Sequence, residues 1–226
     1  MTAPTIVMSS RCQAFTNEHD AMPVIRFATP DDAADIAAIY APAVADRATS
    51  FELEPPDAAE MARRVARAVR TPWLVCEHDG RVVGYAYAGA HRERPAYQWS
   101  VEVSAYVHED QQRRGVGRGL YVSLFAVLAL QEFRSAYAGV TIPNPASIAL
   151  HEAVGFTPLG VFHRVGYKQG RWHDVAWFER VLSDHDANPA MPIPIVAVLT
   201  DPQRSVEVTA ALDAGLPLLR LGRVDP

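Results

Sequence analysis

Glu102 is a carboxylate in the middle of an apolar run, "WSVEVSAYV", residues 99–107. A charge rarely sits in such a run unless it is paired or used. It is either a general base or a glutamate on the solvent face of an edge strand. Just downstream, "QQRRGVGRGLY" (Gln111–Tyr121) places Gly115, Gly117 and Gly119 at alternate positions among Arg113, Arg114 and Arg118. Glycine is poor helix material, yet an apolar helical pattern begins here. Backbone without Cβ atoms at a helix start lets an anion, above all a phosphate, approach free N–H groups. Further along, Asn144 and His151 are seven residues apart. Seven residues are about two helical turns, so the two share a face. An imidazole there can give or take a proton near neutral pH.

The glycine spacing narrows the ligand. A P-loop needs GxxxxGK[ST], and no Lys-Ser or Lys-Thr follows. A dinucleotide fingerprint needs GxGxxG, and Leu120 stands where its third glycine belongs. What remains is Gln112-Arg113-Arg114-Gly115-Val116-Gly117, of the form [QR]xxGxG.

The elements that must position these residues follow from periodicity and turn signals. "VIRFAT" (Val24–Thr29) predicts a strand. Thr29 as N-cap and Pro30 at the first helical position open a helix with Ile36, Ile39 and Tyr40 on its apolar face, ended or bent at Pro42. A second helix carries Met61, Val65 and Val69 in one row. Residues 73–91 predict a hairpin turning at Asp79-Gly80. "YQWSVEVSAYVHED" (Tyr97–Asp110) alternates as a strand, with Gln98, Ser100, Glu102 and Ser104 on one face. After the glycine run comes a helix bearing Leu120, Leu124, Val127 and Leu128. Then follow a strand over 135–141, a short helix opened by Asn144 and closed at Gly155, and two strands over 157–182 turning at Lys168–Gly170. The order βααβββαβαββ is a mixed α/β domain. Residues 1–22 are expected to form a disordered tail and 23–182 the domain. Residues 183–226 form a proline-containing linker and an extension expected to run strand, helix, strand. That extension is too short for a core of its own. It is expected to pack on the domain or on a partner subunit, or to be poorly ordered.

Bulk properties exclude several classes. The chain has 226 residues, 49% apolar and 21% charged, which is ordinary globular composition. A net charge of -5 argues against general nucleic-acid binding. Cys12 and Cys76 stand far apart, with no Cys/His spacing for a structural metal. No apolar run is long enough to span a bilayer, and no apolar signal region opens the chain. A cytoplasmic location is the expectation.

The [QR]xxGxG loop in this element order resembles the pyrophosphate loop of the GNAT acetyltransferases, from Val24 to about Leu182. Two stretches, "TPWLVCEHDGRVVGYAYAGAHRERPAYQWSVEVSAYV" and "IALHEAVGFTPLGVFHRVGYKQGRWHDVAWFE", are similar to the phosphinothricin / methionine sulfoximine acetyltransferase branch. The resemblance implies the GNAT fold, a mixed, mostly antiparallel sheet flanked by helices, here with a short C-terminal extension. It implies acetyl-CoA as co-substrate, no metal, and direct acetyl transfer to the amine of a small amino-acid-like molecule. It also implies a homodimer. On this resemblance Arg113, Arg114, Gly115, Val116, Gly117, Arg118 and Gly119 hold the diphosphate. Ala105, Tyr106 and Val107 receive the thioester and pantetheine arm, with Asn144 and Ser147 alongside. Glu102 falls at the family's catalytic glutamate. His151 stands where the wider superfamily has a tyrosine that protonates the departing thiolate, so its role, as acid or as base, stays open. Asn144 is otherwise a plain N-cap. Arg92 and Arg94, with Glu102 and Ser104, fall where the branch meets its acceptor, or are ordinary loop charges. Phe51 and Tyr106 are pocket walls or core. A peptide N-terminus as acceptor, or a CoA-binding sensor without turnover, are the competing readings.

Overall fold

The computed structural model describes residues 22–221. The expected N-terminal tail and Cys12 therefore lie outside the described residues, apart from Met22.

Seven strands form one sheet: β1 (Val24–Phe27), β2 (Trp73–His78), β3 (Arg81–Ala90), β4 (Ser100–Val107), β5 (Ser135–Ile142), β6 (Thr157–Lys168) and β7 (Arg171–Val181). Their spatial order is β1-β2-β3-β4-β5-β7-β6. Every pair is antiparallel except β4 with β5. The predicted turns hold. Asp79 and Gly80 (φ 51° and 70°) close the β2–β3 hairpin, and Gln169 and Gly170 (φ 51° and 76°) close β6–β7. Cys76 on β2 is fully buried, and that burial pushes its thiol up to about 12.

The helices are α1 (Ala33–Ala45), α2 (Ala58–Ala66), α3 (Val116–Leu130), α4 (Pro145–Ala153), α5 (Ile195–Thr200) and α6 (Ser205–Asp213). α1 and α2 cover one face of the sheet through Ile36, Ile39, Met61 and Val65, against Val75 and Tyr85. Pro42 does not end α1, which continues three residues past it to Ala45. Val69 does not join the apolar row of α2. The helix stops at Ala66, and Val69 is 55% exposed.

α3 lies on the other face. Leu120, Leu124 and Leu128 are fully buried against Leu74, Val101 and Val103. Each buried leucine contributes roughly 1.5–3 kcal/mol of transfer free energy. Its opposite side is apolar too, and the C-terminal extension covers it. Val127 packs with Ile195, Val198, Val208 and Ala211 in a separate cluster. Polar contacts tie the extension down. The Gln131 amide donates to the carbonyls of Arg70 and Ile193 at 2.8 and 2.7 Å, and the Trp99 indole N–H donates to the Ala190 carbonyl at 2.7 Å.

The extension is not strand, helix, strand. "IVAVLT" is the helix α5, and the last apolar run is a 3₁₀ turn over Leu216–Leu218. The β-branched run has strand propensity, but Pro194 at its N-cap and the Ile195/Val198 spacing set one helical face on α3, and packing overrides propensity. Of the destinations open to it, the extension packs on the domain itself.

If the extension is part of the cooperative unit, Ile195→Ala should lower the unfolding free energy by about 2–5 kcal/mol. Urea denaturation followed by far-UV circular dichroism should show this in a single transition. A separate early transition would mean that residues 183–221 fold apart from the domain.

Candidate active site

The parallel pairing of β4 and β5 is short. Only Ser100, Val101 and Glu102 have partners, namely Ser135, Ala136 and Tyr137. Beyond Glu102 the strands part, and β4 continues to Val107 paired on its β3 side alone. A wedge opens there, and its cavity measures about 780 Å³. Val103–Val107 of β4 and Gly139–Thr141 of β5 form two walls, with α1, the glycine loop and α4 around them.

The glycine loop is folded for anion binding. Gly115 is the N-cap of α3 at φ 81°, and Arg113 just before it is also left-handed at φ 61°. Holding a non-glycine there costs about 1–3 kcal/mol. The first turn of α3 carries no acidic residue to occupy its N–H groups. Arg113, Gly115, Val116, Gly117 and Arg118 all line the cavity, as do Ala105, Tyr106, Val107, Asn144 and Ser147. Arg114 and Gly119 do not. They face the C-terminal extension, where the Arg114 carbonyl accepts from the Arg220 N–H at 2.8 Å and Gly119 lies against Gly215. Asn144 is the N-cap of α4, its Oδ1 accepting from the Ser147 N–H at 3.1 Å. Its side-chain NH₂ makes no hydrogen bond to another described residue, so capping and ligand binding are compatible.

Glu102 is half-buried at the last paired position of β4, with Gly89 beside it on β3 and Tyr137 on β5. Burial raises its carboxyl above the ordinary glutamate value, and the Arg92 charge opposes that rise. Its side chain makes no hydrogen bond among the described residues. Next to it lies a second, smaller pocket of about 190 Å³, walled by His91, Arg92, Tyr137, Phe162 and Trp177. His91 stacks on Tyr137 at 4.3 Å, and the Arg92 guanidinium lies 5.9 Å over the Trp177 ring. Ser104 belongs to the large cavity and pairs across the strands with Tyr87. Arg94 is exposed at the start of a 3₁₀ turn and lines neither pocket. Phe51 packs against Gly166 of β6, away from both pockets, whereas the half-buried Tyr106 does line the cleft while packing on Tyr40.

His151 also lines the cavity, but its ring is buried and engaged at both nitrogens. Nδ1 lies 2.7 Å from the Ser147 carbonyl, which can only accept, so Nδ1 carries the hydrogen. Nε2 then accepts from the Tyr121 hydroxyl at 3.1 Å. Burial lowers the imidazole pKa and raises that of Tyr121. Nothing in the sequence marks Tyr121 as a site residue. It closes the glycine motif, yet an aromatic on a helix's buried face reads as core.

The chain is similar to known proteins over most of the described domain. The family described as "Acetyltransferase (GNAT) domain" matches residues 25–177. A phosphinothricin N-acetyltransferase of Streptomyces viridochromogenes is 40% identical over 172 residues, 76% of this chain and 92% of that protein. An L-methionine sulfoximine/L-methionine sulfone acetyltransferase of Salmonella typhimurium is 36% identical over 74% of this chain and 98% of its own length. Among solved structures, a phosphinothricin acetyltransferase from Sinorhizobium meliloti in complex with AcCoA superposes with a TM-score of 0.71 at 35% identity, covering 75% of this chain and 94% of that one.

At pH 7, nitrogen NMR of the imidazoles should find His151 neutral with its proton on Nδ1. A doubly protonated ring at that pH would contradict the buried Ser147–His151–Tyr121 arrangement. The wedge between β4 and β5, the left-handed glycine loop at its end and the match across residues 25–177 have one reading: the chain belongs to the GNAT acetyltransferase family.

Proposed function

We propose that the protein transfers an acetyl group from acetyl-CoA to the amino group of a small amino-acid-like acceptor, of the phosphinothricin or methionine sulfoximine type, directly and in a ternary complex. The observation that carries this is the position of Glu102. It lines neither pocket itself, but stands where β4 and β5 part, next to Val103 of the large cleft and paired with Tyr137 of the small aromatic pocket.

The division of labour follows. Loop amides from Arg113 to Gly117 hold the diphosphate, with Arg113 and Arg118 adding charge. The β4 main chain at Ala105–Val107 lacks a β5 partner and is left to bind the pantetheine arm and polarise the thioester carbonyl. In the smaller pocket Arg92 meets the acceptor carboxylate. Glu102 accepts the proton of the ammonium, through one water or directly, and frees the nitrogen lone pair for attack on the carbonyl carbon. The C–S bond then breaks, and the departing thiolate takes up the second proton that the attacking nitrogen sheds as it becomes an amide. His151 is assigned a positioning role: it holds Tyr121 at the cleft wall, because both its nitrogens are already occupied. The size of the acceptor pocket, about 190 Å³ with aromatic walls, favours a free amino acid over a peptide N-terminus.

A homodimer in the cytoplasm belongs to the same reading. The β6–β7 hairpin leaves Leu159, Phe162, Val165, Tyr167 and Trp172 between 49% and 58% exposed. A second copy is the cover that fits an apolar patch of this kind. Sedimentation velocity should give twice the chain mass, and Tyr167→Lys with Trp172→Lys should give the single chain mass. A wild-type monomer would end that part of the proposal.

Two measurements bear on the chemistry. Glu102→Gln should lower kcat at least about tenfold while acetyl-CoA affinity holds. Unchanged turnover would remove Glu102 from the mechanism. The base works only when ionised, and burial raises its pKa. The acid limb of kcat/KM should therefore titrate above the range of an exposed glutamate, activity falling as pH drops through it. Glu102→Gln should abolish that limb.

A further inference from the structure

Residues 183–221 lie beyond the family match, which ends at 177. Their last part runs along the cofactor cleft. α6 ends at Asp213, and Gly215 then meets Gly119 of α3 with backbone against backbone. A Cβ on Gly119 would come within 2.9 Å of the Gly215 carbonyl oxygen, and one on Gly215 would collide with the Gly119 carbonyl. A Cβ on Gly115 would likewise strike the Leu218 carbonyl. Gly119 is thus bare for the chain's own extension, Gly115 meets both the extension and the cavity it lines, and Gly117 faces only the cleft wall, at Leu150 and Val107. The contact is fastened by the Ser123 hydroxyl, which donates to the Leu212 carbonyl at 2.7 Å and accepts from the Gly215 N–H at 3.1 Å. Leu221, only 5% exposed, anchors the end of the segment in the main core.

Between these anchors, Pro217, Leu218 and Arg220 line the same cavity as Arg113 and Arg118. The Arg220 main chain is pinned to the glycine loop through the Arg114 carbonyl. Its side chain is exposed and forms no ion pair among the described residues, and neither do those of Arg113 and Arg118. Four arginines, Arg47, Arg113, Arg118 and Arg220, thus line one cavity against a single carboxylate, Glu109, which is a charge balance that suits an anionic ligand.

We propose that the C-terminal extension is an added wall of the acyl-CoA site, and that Arg220 is a phosphate-binding residue for the cofactor. This rests on the acetyl-CoA reading above. Arginine suits the task, since its planar fork meets phosphate oxygens in pairs. The diphosphate and the ribose 3′-phosphate offer the same chemistry, and two ligands separate them.

The test is isothermal titration calorimetry of the full chain with CoA and with 3′-dephospho-CoA, on wild type, Arg220→Ala and Arg220→Glu. Arg220→Ala should weaken CoA binding about five- to tenfold and flatten its dependence on salt, and Arg220→Glu should weaken it further. An unchanged urea midpoint shows that the exposed substitution leaves the fold intact. If the loss vanishes with 3′-dephospho-CoA, Arg220 meets the 3′-phosphate. If it persists, Arg220 meets the diphosphate. Equal affinities of wild type and Arg220→Ala for both ligands would overturn the proposal while leaving acetyl transfer standing. A wild type that binds no CoA would instead overturn the acetyl-CoA reading itself.

Discussion

The site depends on one interruption in a hydrogen-bonded sheet. β4 and β5 run parallel for three residue pairs and then separate. Had the ladder continued, the main-chain groups of Val103–Val107 would be spent on β5 and the sheet would be closed. The separation instead leaves a strand edge in the middle of the domain, where an extended ligand can lie as a substitute strand. Such an edge is ordinarily a liability. Here the glycine loop, α1 and α4 shelter it on all sides, so it faces a cleft rather than a neighbouring molecule.

α3 makes this interruption tolerable. Its leucines fill the space under β2 to β4, and its N-terminus reaches the open end of the wedge. The helix is buried on both sides, between the sheet and the C-terminal extension. A helix enclosed in this way cannot roll, and its first turn keeps a fixed aim. The left-handed backbone at Arg113 and Gly115 is held by packing on either side, from Leu150 and Val107 at Gly117 and from Leu218 at Gly115.

The domain was largely legible in the sequence because its signals are local. Alternation gave the strands, Asp79-Gly80 and Gln169-Gly170 gave the turns, and [QR]xxGxG with its flanks gave the loop. What was not legible came from distant partners. "IVAVLT" carries strand propensity, and its packing on Val127, Val208 and Ala211, distant in sequence, favours the helix. A signal for that contact was present, since α3 is apolar around its whole circumference and such a helix must be covered twice. Gly119 read as a ligand's glycine, because nothing near it in sequence shows that Gly215 presses against it. The contact between His151 and Tyr121 was not legible either, because the two are 30 residues apart.

The buried thiol on β2 has a practical corollary. A sulfhydryl held at about 12 is almost wholly protonated at neutral pH, and with no exposed surface it cannot meet an aromatic disulfide reagent. Colorimetric titration of coenzyme released during turnover would therefore carry no background from Cys76 while the chain stays folded. The same reagent, added under denaturant, would report loss of the core directly.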